Sequence, residues 1–128
     1  MEVTSFLYCN GYTQVDGMPA LLGPLQFLNP AFIPGQYSFV VSFGLFHLPD
    51  SGEITLEYKF VSPTGKTVHN ISSVALPIAK EEKEKKCVGM QVNMDLKNIV
   101  LEMEGTYKSI LYINGEKVGE YPIAVVKK

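Results

Sequence analysis

Cys9, His47, His69 and the aspartates Asp16, Asp50 and Asp95 are the side chains from which a nucleophilic triad could be written. Such a set needs a thiolate within hydrogen-bond reach of a histidine that a third group orients. Cys9 continues the apolar run Phe6-Leu7-Tyr8, and a cysteine in that setting behaves as a small inert hydrophobe. No serine occupies a G-x-S-x-G elbow, and no H-E-x-x-H is present. Glu102 and Glu104 share a face at strand spacing and could form a carboxylate pair for glycoside chemistry; two neighbouring solvent-facing glutamates are the plainer reading. Cys9 and Cys87 are far apart, without a C-x-x-C or clustered histidines, and the three aspartates are isolated from one another, so neither zinc nor calcium is expected. The glycines stand singly at turns and build no phosphate cradle. No catalytic residue, metal ligand or cofactor-binding residue is therefore expected, and the chain does not read as an enzyme.

Composition narrows the partners. The 128 residues carry a net charge of −2, and all eleven basic residues are lysine. Without arginine there is no planar fork for bidentate phosphate recognition, and without a basic excess there is no footprint for a nucleic acid. Tryptophan, the best stacking platform for sugars and quaternary amines, is absent. From Gly17 to Pro49 there is no Lys, Arg, Asp or Glu, but Pro19, Pro24, Pro30 and Pro34 interrupt the segment and leave no apolar run of membrane-spanning length. No membrane partner is expected, and something must cover those apolar side chains. Met1-Glu2-Val3-Thr4 does not open an export signal, so a cytoplasmic, reducing location with free thiols is the expectation.

Period-two alternation dominates the chain. Ile54, Leu56, Tyr58 and Phe60 point one way and Thr55, Glu57 and Lys59 the other, ending at the turn Ser62-Pro63-Thr64-Gly65. Val88, Met90, Val92, Met94 and Leu96 share a second face. Tyr107 to Ile113, Asn114-Gly115 and Glu116 to Val126 read as a hairpin with a type I′ turn, with Pro122 at a free edge or bulge. Val3 to Tyr8, Tyr37 to Phe46 and Lys66 to Leu76 are further strands. Leu21 to Gly35 reads as a short strand plus an irregular proline-spaced connection, and Lys80 to Lys86 as a solvated loop. The sum is one domain over 1–128, an all-β antiparallel sandwich of about seven to eight strands.

Several motifs resemble known sandwiches. Phe60-Val61-Ser62-Pro63-Thr64-Gly65 is similar to a strand-and-turn segment of small bacterial sandwich proteins. Glu104-Gly105-Thr106-Tyr107, followed by Ile110 to Glu116, resembles the late hairpin of immunoglobulin-like domains, where a tyrosine opening the penultimate strand bonds back to the preceding corner. Phe6-Leu7-Tyr8-Cys9 and Asp16-Gly17, leading to Leu22-Gly23, resemble the start of an uncharacterised bacterial family of such proteins. The resemblance implies an immunoglobulin-like fold and no activity. The chain departs from antibody domains in lacking the core tryptophan and the paired cysteines.

Phe27, Leu28, Phe32 and Ile33 lie in the stiff proline-rich connection. They either cap one end of the sandwich or form an apolar surface for a partner. The leading expectation is a non-catalytic protein-interaction or self-association module, with a protein partner or a homo-oligomer. The alternative is a small-molecule or carbohydrate-binding sandwich using Tyr8, Tyr12, Tyr37 and Tyr112.

Overall fold

A computed structural model describes residues 2–47, 52–77 and 89–128, and every regular element in them is a β-strand. In chain order these are β1 (Glu2–Val15), β2 (Met18–Pro24), β3 (Phe27–Leu28), β4 (Gly35–Phe46), β5 (Glu53–Val61), β6 (Thr67–Pro77), β7 (Gly89–Leu101), β8 (Gly105–Ile113) and β9 (Glu116–Val125). One sheet has the order β2-β1-β4-β7 and the other β3-β9-β8-β5-β6. Among the described residues only the β3–β9 pair is parallel. The two sheets face each other as an immunoglobulin-like sandwich.

Alternation sets the packing, as read from the sequence. Ile54, Leu56, Tyr58 and Phe60 of β5 are at most 1% exposed. They meet Phe39, Val41, Phe43 and Leu45 of β4 and Tyr107, Leu111 and Ile113 of β8 in one core. Each such side chain contributes about 1.5–3 kcal/mol through burial. Asn114 (φ 51°) and Gly115 (φ 83°) form the expected type I′ turn. Tyr107, fully buried, donates its hydroxyl to the Met103 carbonyl at 2.9 Å, which is the corner that the resemblance implied. Pro122 lies opposite Lys108, and β3 joins the far side of β9 only at Ala124 and Val125, so the missing N–H falls at a free stretch of edge.

Simple alternation fails in β1 and β7, as it does at the register shifts of β6 and β9, and a bulge explains each. In β1 one extra residue lies between Thr4 and Leu7, with Ser5 at φ 52°. Without it Val3, Ser5 and Leu7 would share a face; with it Val3, Phe6 and Tyr8 turn inward. In β7 Asn98 takes φ 55° and its N–H donates to Ser38 Oγ at 2.9 Å. The inward series therefore passes from Met94 and Leu96 to Ile99 and Leu101, and Val100 is left 45% exposed. The described strands number nine rather than seven to eight, because β3 forms within the stretch read as irregular. Val88, Cys87 and the Lys80–Lys86 run lie outside the described residues.

The core also holds a polar chain. Tyr8 of one sheet and Ser109 and Tyr58 of the other are all buried, with Tyr8 Oη 2.7 Å and Tyr58 Oη 2.6 Å from Ser109 Oγ. Tyr8 Oη is also 2.6 Å from the Tyr121 carbonyl. The Tyr8 hydroxyl donates toward both the Tyr121 carbonyl and Ser109 Oγ, and Ser109 and Tyr58 share one further hydrogen bond between their hydroxyls. Every group is satisfied, and burial raises both phenols above the ordinary tyrosine range.

Ser109→Ala leaves both phenols short of a partner and is expected to cost about 1–3 kcal/mol in urea unfolding. An unchanged midpoint would show that the chain contributes nothing. The raised phenols also set the alkaline limit. The unfolded chain loses tyrosine protons near pH 10 while the folded one holds them, so stability stays level below about pH 10 and falls above it. Tyr8→Phe should flatten that fall in denaturant titrations across the alkaline range.

Candidate functional site

After Cys9, which lies opposite Val40, β1 parts from β4 and continues paired with β2 alone. Asp16 (φ 52°) and Gly17 (φ 76°) close this hairpin in a type I′ turn. Pro19 and Leu21 line a depression of about 260 Å³ together with Gln91 and Asn93 of β7, with Met18 only at its rim beside the turn, so the arm lies across the outer face of the four-stranded sheet. Beneath it Cys9 and Ser42 are fully buried and Val40 is 3% exposed, although all three point away from the core. Ser42 Oγ donates to Asn93 Oδ1 at 2.5 Å and accepts from Gln91 Nε2 at 2.6 Å.

The opposite face of the arm meets solvent. Cross-strand pairing places Val15 against Met18, Thr13 against Ala20 and Gly11 against Leu22 on that face. Val15, Met18 and Leu22 are 57%, 68% and 49% exposed. A Cβ on Gly11 would meet nothing within 4 Å. From Val3 to Pro24 the single charged side chain is Asp16, at the tip. The signal for the arm is the Asp-Gly pair, whose turn chemistry matches that of Asn114-Gly115.

The proline-rich connection is corrected in part. Leu28 is fully buried and Ile33 is partly buried against the core, so neither forms an exposed surface. The cause is the parallel pairing of β3 with β9, where Leu28 opposite Val125 turns inward and Phe27 turns outward. Phe27 and Phe32 do stand out, at 46% and 74% exposure.

The residues considered for catalysis are dispersed. Burial raises the Cys9 thiol above its ordinary range and keeps it protonated. His47 Nδ1 lies 3.2 Å from Glu2 Oε2 on the surface, and His69 sits opposite Phe60 on β6. Glu102 pairs with Lys66 at 3.3 Å, while Glu104 Oε2 accepts the Lys127 N–H at 3.0 Å, so the two glutamates serve different neighbours. Among the described residues no three His, Cys, Asp or Glu side chains converge as metal donors. Asp50 lies outside the described residues. The four tyrosines considered for a ligand do not converge either: Tyr8 is in the core, Tyr12 is on the arm, Tyr37 is partly buried on β4, and Tyr112 lies on β8 with Lys59 Nζ 5.2 Å from its ring centre. Among the described residues no helix is long and apolar enough to cross a membrane.

Solved structures similar to the chain include two from Pseudomonas species. The alkylpurine DNA glycosylase AlkC of Pseudomonas fluorescens, bound to DNA containing an abasic-site analogue, superimposes with a TM-score of 0.57 at 11% identity. The match covers 97% of this chain and 30% of that one, so the chain spans under a third of that enzyme's length and shares a fold with it. An immunoglobulin-like protein of Pseudomonas aeruginosa gives a TM-score of 0.45 at 14% identity, with 98% of each chain covered. No curated protein matches the chain. Residues 4–126, nearly the whole chain, match one family, and the chain belongs to that family of unknown function, DUF6941.

Proposed function

We propose that the chain is a non-catalytic interaction module of the cytoplasm that associates with copies of itself through the outer face of the β1–β2 arm. The observation that carries this is the exposure of Val15, Met18 and Leu22 on a hairpin whose one charge is at its tip. Exposed apolar side chains on a flat strand pair gain free energy when another surface removes them from water. A face without charge meets a copy of itself without repulsion, so a two-fold pairing of arms is self-complementary. Phe27 and Phe32 offer a second, smaller apolar surface at the crossover between the sheets.

Light scattering behind a size-exclusion column, at two loading concentrations, is expected to show a species above the monomer mass that grows with concentration. Because no charge is buried, high salt should leave it intact. Met18→Glu and Gly11→Lys should each give monomers with an unchanged melting temperature, whereas Phe27→Ala with Phe32→Ala should not. A wild-type monomer at both loadings would overturn the reading, as would an oligomer indifferent to the arm variants.

A further inference from the structure

On one flank of the sandwich the edge strand of each sheet approaches the other, β7 from the four-stranded sheet and β6 from the five-stranded one. Between them lies a cleft of about 100 Å³. Its apolar wall is Val68, Val100, Met103 and the ring of Tyr107. Val100 is there because the Asn98 bulge shifts the end of β7 by one residue, turning that side chain outward with Glu102. The wall is held firm: the Tyr107 hydroxyl bonds the Met103 carbonyl, and the Ser62–Lys66 turn is closed by Ser62 N–H to the Lys66 carbonyl at 2.8 Å.

At the cleft Lys66 Nζ and Glu102 Oε1 stand 3.3 Å apart, with their side chains 64% and 55% exposed. An ion pair this exposed adds little to stability, so its opening costs the fold little. A cation and an anion side by side above a cleft with one apolar wall and a hydroxyl-bearing one (Ser62, Thr64 and Thr67) match a molecule that carries its own carboxylate and ammonium group next to an apolar side chain. At about 100 Å³ the space is smaller than the apolar cavity of about 150 Å³ that takes a benzene ring, which limits the side chain to one of aliphatic size such as that of leucine. We infer that this flank cleft binds a free amino acid with an apolar side chain, its carboxylate on Lys66, its ammonium on Glu102, and its side chain against Val68, Val100 and Met103. This site is separate from the arm and does not rest on self-association.

The test is amide-resonance titration of the labelled protein with three probes: L-leucine, N-acetyl-L-leucine and L-leucinamide. Leucine should produce saturable shifts confined to Ser62–Val68 and Val100–Tyr107. Each analogue lacks one charge and should bind about tenfold more weakly, the loss of one charge-assisted contact. Lys66→Met and Glu102→Gln, with melting temperatures checked against wild type, should each weaken leucine by a similar factor. Saturation absent at high leucine concentration, shifts elsewhere, or equal binding of all three probes would overturn the inference. So would N-acetyl-leucine binding as well as leucine, which would mark a simple anion site.

Discussion

The contact on which the sandwich depends is the buried chain from Tyr58 through Ser109 and Tyr8 to the Tyr121 carbonyl. Apolar packing between two sheets is non-directional and tolerates sliding. Three hydroxyls and a carbonyl in a low-dielectric interior tolerate far less, because a one-residue slip of either sheet strands a buried polar group. Phe6, two positions before Tyr8, stacks on Tyr121 with ring centres 4.1 Å apart, so the same stretch of β1 is tied to β9 twice. Fixing Tyr8 inward fixes Cys9 outward, and Cys9 is where β1 leaves β4 and the arm begins. The position of the proposed interaction surface thus follows from a hydrogen-bond chain on the other side of the strand.

The bulges extend that logic. A strand that must place Val3, Phe6 and Tyr8 inside cannot do so at period two, and Ser5 absorbs the mismatch in the left-handed region. In β7 the same device moves Ile99 and Leu101 into the core and delivers Val100 to the flank. In both cases the demand comes from the facing sheet. The apolar wall of the flank cleft is a consequence of closing the core.

What was legible in the sequence were elements whose signal is local. β5 shows its buried face in four alternating residues, the Asn114-Gly115 hairpin announces its turn type, and Tyr107 sits where a corner tyrosine must. The arm was not read as a hairpin, although Asp16-Gly17 carries the same turn chemistry. Its flanks lack clean alternation because neither of its faces packs into the core, and alternation in sequence reports burial. Leu28 stays open in sequence between an end cap and a surface for the opposite reason. A two-residue strand has no period to detect, and its orientation comes from pairing with β9, 97 positions further along the chain.

The chargeless stretch from Gly17 to Pro49 resolves on the same terms. From Phe39 to Leu45, β4 is buried on both faces, by the core on one side and on the other by the arm lying across Val40 and Ser42. A strand covered on both faces reads as a continuous apolar run, so folding alone excludes charge from that part. Folding makes no such demand on Met18, Leu22, Phe27 and Phe32, which are 46% exposed or more. A lysine or glutamate at any of them would leave the core untouched. Their apolar character is therefore the part of the segment that burial within one chain does not account for, and it is concentrated on the arm and the crossover, where a second surface would bury it.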